Sequence, residues 1–287
     1  MRALSRWFDA NERPLPWRST TPWGVMVSEF MLQQTPVDRV LPVWHDWLER
    51  WPEPTDLASA SLADALRAWG RLGYPRRAQR LRESAICIVS EHGGQVPADL
   101  AALRALPGVG EYTSAAILAF AFGRRSIVLD TNVRRVLART LAAEAGPPAH
   151  VTIGERRMAE ALWPAKDAAS ARWSAAVMEF GALVCKARNP ACEGCVVAPS
   201  CAWLAAGKPV DLEPRRRAPQ YEGSDRQARG RLLKELRDTH APVHRTTLLA
   251  AWPADPSQAE RALAGLIRDG LVEAAGRGRL ALPSADR

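Results

Sequence analysis

Four of the five cysteines fall within seventeen residues, Cys185, Cys192, Cys195 and Cys201, in the spacing C-x6-C-x2-C-x5-C. Four thiolates this close together are a metal site. Zinc usually takes two short-spaced pairs, but only one C-x2-C is present here. A soft thiolate tetrad also suits an iron–sulfur cluster, and the spacing puts iron–sulfur ahead of zinc. A disulfide framework is disfavoured, because the rest of the chain is large, contains only Cys87 as a further cysteine and opens without an export signal. Cys87 lies in RLRESAICIVSEH and reads as a buried helix residue.

Two acids stand in apolar company. Glu29 sits within WGVMVSEFMLQQT. It is either turned to solvent from one helix face or buried with a raised pKa that lets it act as an acid near neutral pH. The adjacent Gln33 and Gln34 can each donate and accept hydrogen bonds at base edges. Asp130 leaves the apolar run of VLDTNVRRVLART. It is either a helix N-cap or a carboxylate held in partly dry surroundings, facing a developing positive charge. Residues 106–110 read LPGVG between two helical segments. A Gly-x-Gly turn there, Pro107, Gly108, Val109 and Gly110, is either an ordinary helix–helix turn or one that exposes backbone N–H groups beside a helix N-terminus, a geometry that suits a phosphate oxygen or a backbone-bound cation.

The elements that must position these residues are helical. Ser61 followed by Asp64 makes a capping box, with Leu62, Leu66 and Trp69 at helical spacing and Gly70 as a stop. Further helices are predicted around Leu100–Leu106 and from Glu111 to Phe122, ending at Gly123. No sustained period-two alternation precedes residue 270, so the chain is mainly α. The stretch 211–228, with Arg215, Arg216 and Arg217 between prolines, reads as a linker able to touch phosphate. After residue 229 come three helices near 232–236, 246–251 and 257–269. LVEAAGRGRLALP then reads as two strands around a Gly-rich turn, which together with those helices resembles a winged helix.

At 287 residues the chain exceeds one ordinary domain. It has no uncharged apolar run long enough to span a membrane. The net charge is +8, and 35 of the 39 basic residues are Arg, a bias that favours a polyanion partner because the guanidinium fork binds phosphate bidentately.

The ordered set LPWR (15–18), SEFMLQQT (28–35), LGY (72–74), LPGVGEYTSAAI (106–117), VLDTNVRRVLAR (128–139), MEFGALVC (178–185) and the cysteine tetrad resembles the MutY-type adenine DNA glycosylases of the helix-hairpin-helix superfamily, relatives of endonuclease III. The resemblance covers residues 5–210. It implies a two-lobed helical helix-hairpin-helix glycosylase fold with a 4Fe-4S cluster loop. Residues 1–22 and 130–210 would form the cluster domain, residues 23–129 a six-helix barrel, and residues 229–287 the winged-helix-like C-terminal module.

It also implies removal of adenine mispaired with 8-oxoguanine or guanine in double-stranded DNA, by a monomer at the cytoplasmic nucleoid. By position Glu29 resembles the acid that protonates adenine N7, and Asp130 the carboxylate beside the sugar. Asn132 matches a residue that orients the acids. Tyr112 replaces the Schiff-base lysine of the lyase branch, so no imine chemistry is implied. Arg13, Leu15, Trp17 and Glu179 match positions lining the adenine pocket, and Gln34 the wedge at the lesion pair. Pro75 stands where the family often has a second tyrosine used as a wedge, which leaves either Tyr74 or Gln34 in that role or a weaker wedge. The last 60 residues do not resemble the family's usual, larger lesion-reading domain. A thymine or uracil mismatch glycosylase and a catalytically silent iron–sulfur DNA-binding protein are the competing readings.

Overall fold

The computed structural model describes residues 2–210 and 220–284; the three arginines of the expected linker lie outside them. In chain order the helices are α1 (Arg2–Asn11), α2 (Pro22–Leu32), α3 (Val37–Arg50), α4 (Pro54–Ser59) and α5 (Leu62–Trp69). There follow α6 (Arg76–His92), α7 (Leu100–Ala105), α8 (Glu111–Phe122), α9 (Thr131–Leu141) and α10 (Ile153–Leu162). The last are α11 (Asp167–Leu183), α12 (Ala202–Ala205), α13 (Asp225–Asp238), α14 (Arg245–Ala250) and α15 (Pro256–Arg268). Three short strands, β1 (Val243–His244), β2 (Glu273–Ala274) and β3 (Arg279–Ala281), pair antiparallel in the order β1-β3-β2. The chain is mainly α, as its periodicity implies. Among the described residues no helix is long and apolar enough to cross a membrane.

The local reasons are readable. Ser61 caps α5 by accepting from the Asp64 N–H at 3.1 Å, and Gly70 ends it at φ +55°. Gly123 closes α8 in the left-handed region. The tail departs from expectation in two details. Its first helix starts at Asp225, inside the expected linker and capped by Ser224. A third strand, β1, joins the expected pair, with Val243 opposite Leu280.

The contacts divide the backbone into two units, with a boundary inside α2. One comprises residues 2–26, 98–105 and 109–210 and contains α1 and α7–α12. Its core packs Leu4 and Phe8 of α1 against Val133 and Val136 of α9 and Trp173, Val177 and Phe180 of α11. The other comprises residues 27–97, 106–108 and 220–284. There Trp47 of α3 meets Trp69 of α5 edge-on at 5.6 Å, and Leu57, Leu66, Leu81 and Ile88 are fully buried. The C-terminal module belongs to this second unit, where the Ala63 N–H of α5 donates to the Pro283 carbonyl at 2.9 Å. The division thus differs from the expected one: α7 and α8 group with the cysteine-bearing segment and the tail with α3–α6. Cys87 lies on α6 as expected, but half-exposed rather than buried.

Candidate active site and cluster loop

In the first unit Asp130 is the helix cap that its sequence context allowed, and its carboxylate is largely desolvated. It is the N-cap of α9, its Oδ1 accepting from the Val133 N–H at 2.6 Å. Its Oδ2 accepts from Asn132 Nδ2 at 2.8 Å. Burial pushes its pKa above the usual aspartate value; the Val133 and Asn132 hydrogen bonds and the Arg135 guanidinium pull against that without cancelling it. The carboxylate is therefore fixed in direction and short of solvent.

Asn132 is itself held. Arg135 Nη2 donates to Asn132 Oδ1 and to the Gly181 carbonyl, both at 2.7 Å, and Arg135 Nε donates to the Cys185 carbonyl at 2.7 Å. One buried guanidinium thus spans from the orienting amide to the backbone of the first cysteine. Gly181 makes the approach feasible, since a Cβ there would lie 2.8 Å from both the Cβ and the carbonyl oxygen of Asn132. Arg135 and Gly181 were not singled out from the sequence. Among 35 arginines Arg135 carried no distinguishing mark except its place one helical turn after Thr131.

Glu179 is not a solvated helix charge: it is 3% exposed and clamped by Arg13. Arg13 donates from Nε and Nη2 to the two carboxylate oxygens, each at 2.7 Å, and Arg18 Nη2 lies 3.2 Å from Oε2. Burial works to raise the Glu179 pKa, but the Arg13 hydrogen bonds and the Arg18 charge overcome it and hold it low. The carboxylate is anionic and serves to fix the segment that carries Leu15 and the buried Trp17. Tyr112, on α8, packs half-buried against Ala115, Ala116, Ala119 and Val128.

The four cysteines line one small cavity together with Arg139, Val184 and Trp203. Four thiols converging on one mainly apolar hollow are the soft donor set that an iron–sulfur cluster takes. Arg139 supports the loop, donating to the Lys186 carbonyl at 2.7 Å and reaching Cys185 Sγ at 3.5 Å, with its guanidinium over the Trp203 ring. Lys186, Arg188 and Lys208 are exposed on this segment.

In the second unit Glu29 is 6% exposed on α2, between the fully buried Ser28 and Phe30. The solvated alternative is thereby excluded. The residues after it form a constrained corner. Gln34 and Tyr74, both non-glycine, take left-handed φ values of 55° and 48°. Such backbone is costly unless its surroundings hold it. The holder is Arg77, whose guanidinium donates to the carbonyls of Phe30 at 3.0 Å, Gln33 at 2.5 Å and Gly73 at 3.1 Å, and to Thr35 Oγ1 at 3.1 Å. It also lies over the Trp69 and Tyr74 rings. Burial lowers its pKa to about 10, so it remains a cation near neutrality. Tyr74 is left 47% exposed.

In the same unit Gly108 has φ +78°, and a Cβ there would sit 2.7 Å from Arg80 Cβ and 3.0 Å from Phe30 Cε1. Ser84 Oγ donates to the Pro107 carbonyl at 2.5 Å. In the first unit Val109 is buried and Gly110 is the N-cap of α8. No side chain of these four residues offers a polar group, so any anion contact runs through backbone N–H groups.

Residues 27–161 match the HhH-GPD superfamily of base excision DNA repair proteins, and residues 185–201 match the iron-sulfur binding domain of endonuclease III. The adenine DNA glycosylase of Mycobacterium tuberculosis is 49% identical over 282 residues, which is 98% of this chain and 92% of its own length. The chain belongs to the adenine DNA glycosylase family. A thymine/uracil-DNA glycosylase of Pyrobaculum aerophilum is 32% identical over 200 residues, 68% of this chain and 87% of its own. The solved structure of a thermostable thymine-DNA glycosylase superposes with a TM-score of 0.64 at 26% identity, covering 71% of this chain and 94% of that one. The helical body is thus shared across the superfamily, whereas the mycobacterial adenine glycosylase also matches the tail. As in that family, the cofactor of the cysteine loop is a 4Fe-4S cluster.

Proposed function

We propose that the protein is a monofunctional glycosylase that removes adenine opposite 8-oxoguanine or guanine from duplex DNA. The observation that carries the reading is the Asp130 carboxylate, half-dry and fixed through both oxygens by the α9 N-terminus and Asn132. A pure DNA binder has no use for such a group, while N-glycosidic cleavage needs one beside the sugar.

The chemistry proceeds with the adenine extruded from the stack, at a cost of a few kcal/mol that a mismatch reduces. Glu29 delivers its proton to adenine N7 as the C1′–N9 bond breaks and its electron pair passes to the base. Asp130 faces the oxocarbenium-like sugar that remains. Water adds its oxygen to C1′ and gives up a proton to a carboxylate, leaving free adenine and an abasic site. Tyr112 supplies no amine, so no imine forms and the strand stays intact. The cluster holds the DNA-facing loop in shape when bound and takes no part in these steps.

The test is single-turnover excision on duplexes holding A:8-oxoG, A:G, A:T and T:G, with and without alkali. Cutting at adenine opposite 8-oxoG and G, only after alkali, is the expected result. Exclusive T:G activity would refute adenine specificity, and strand cutting without alkali would refute the monofunctional reading. Replacing Glu29 by Gln should lower the rate by about 10²–10⁴, the usual scale of general acid help, with DNA binding retained.

A further inference from the structure

A winged helix ordinarily presents its third helix to DNA. In this module the third helix, α15, is poorly equipped for that. On its outer face Glu260 is paired with Arg245, Arg261 lies 4.0 Å from Asp225, and Ala264 and Ile267 are exposed and apolar, leaving Arg268 in the last turn as its further exposed cation. The positive charge is on α13 instead. One face of α13 and the segment running from α5 into α6 line a single open cavity of ≈ 1170 Å³ within the second unit. Nine of its lining residues are Arg or Lys and none is Asp or Glu. The volume exceeds the roughly 300–1,000 Å³ of small-molecule pockets. Gln33, Gln34 and Tyr74 line it too, and Arg226 Nη1 donates to the Tyr74 hydroxyl at 3.3 Å.

Some of these cations are already engaged: Arg229 and Arg76 both face Asp269, and Lys234 faces Asp238. Among the described residues neither Arg71 nor Arg237 is paired this way. Both line the cavity; the Arg71 charge opposes that of the half-buried Arg237, and the Asp238 charge that favours Arg237 is shared with Lys234. Arg39 donates to the Arg71 carbonyl rather than to an acid, and Arg231 is exposed. Like charges gathered at the mouth of a cavity destabilise the empty state and are relieved by a bound polyanion.

We propose that the C-terminal module binds the phosphodiester backbone of the duplex through α13, its first helix, with Arg71, Arg231 and Arg237 gripping phosphates beside the base pair that Gln33, Gln34 and Tyr74 meet. The proposal rests on the adenine-excision reading for the identity of that pair, but not for the binding itself. On this reading the short tail anchors the duplex where the probing residues are.

The experiment is equilibrium binding of the cluster-loaded full chain to an undamaged duplex and to an A:8-oxoG duplex, by fluorescence anisotropy over a range of salt. The triple variant Arg71→Ala, Arg231→Ala, Arg237→Ala should weaken both by more than tenfold at low salt. It should also lower the slope of log K against log salt by two to three, about 0.9 for each phosphate no longer gripped. Arg231→Glu alters only an exposed side chain and should lower the slope by about one, which keeps the test valid if the triple variant misfolds. An unchanged slope in Arg231→Glu and in a folded triple variant overturns the proposal. So does a larger loss from Arg261→Ala with Arg268→Ala, which would place the DNA on the third helix. Because undamaged DNA is bound without base release, a chain that shows the predicted slopes yet frees no adenine retains the groove and loses the proposed function.

Discussion

The corner around Asp130 and the corner around Tyr74 are built on opposite rules. At Asp130 the carboxylate, the amide and the guanidinium are all held by hydrogen bonds: the α9 N-terminus, Asn132, Arg135, and the carbonyls of Gly181 and Cys185 form one connected network. At Tyr74 the backbone is strained at two non-glycine residues, an aromatic ring stands in solvent, and the surrounding cations outnumber any acids. The first arrangement completes its reorganisation during folding and is ready for a charge that develops later. On the proposed function the second is completed by the duplex. The difference teaches that the group set to face the sugar and the surface set to hold DNA should respond to different perturbations.

The comparison can be broken most severely at Asp130. Asp130→Asn keeps the helix cap, since Asn caps as well as Asp, and removes the charge. Excision should fall by about 10²-fold or more, on the scale of losing one preorganised electrostatic group. Stability at neutral pH should change little: the ionised Asp130 costs stability as pH rises through its raised folded pKa, and Asn is spared that cost but puts its NH2 against the Asn132 Nδ2 donor and loses that hydrogen bond. Thermal melting with a single-turnover assay checks both.

Next comes Arg135→Lys. One ammonium cannot serve Asn132, Gly181 and Cys185 together, so at least one buried carbonyl loses its donor at about 1–3 kcal/mol. A lower melting temperature and faster bleaching of the cluster's visible absorbance should accompany slower excision. If only the cluster suffers, the network does not position Asp130.

Gly108→Ala perturbs the second corner. The left-handed backbone costs about 1–2 kcal/mol, and the new methyl meets Arg80 and Phe30, the neighbour of Glu29. Duplex binding should weaken relative to the parent, measured by anisotropy at matched salt. The smallest effect belongs to Ser61→Ala, where loss of a cap on α5 costs about 1 kcal/mol with excision untouched.

What the sequence made legible was what depends on neighbours along the chain. Ser61 with Asp64, Gly70, Gly123 and Asp130 before an apolar helix all do their work within five residues, and the cysteine spacing is itself the signal. Long-range pairings were not legible. Glu179 meets Arg13 across 166 residues, and nothing local distinguishes a clamped glutamate from a solvated one. Arg77 and Arg135 are two arginines among 35 until the carbonyls they gather are seen. The tail was legible only as a resemblance to a winged helix, because helical periodicity shows which residues form a helix but not which of its faces meets another element. The same blindness placed Cys87 in the core when its side of α6 is half-exposed.

The most direct test of the Asp130 assignment is the pH dependence of single-turnover adenine release from an A:8-oxoG duplex at saturating enzyme. Asp130 must be ionised to face the sugar cation, and burial raises its pKa, so the rate should fall on acidification with a midpoint above the ~3.9 of a free aspartate. On the alkaline side it should fall again as the acid loses its proton. The acid limb should vanish in Asp130→Asn, whatever residual rate remains. An acid limb at or below the free-aspartate value, or one that persists unchanged in Asp130→Asn, would contradict the role assigned to this carboxylate.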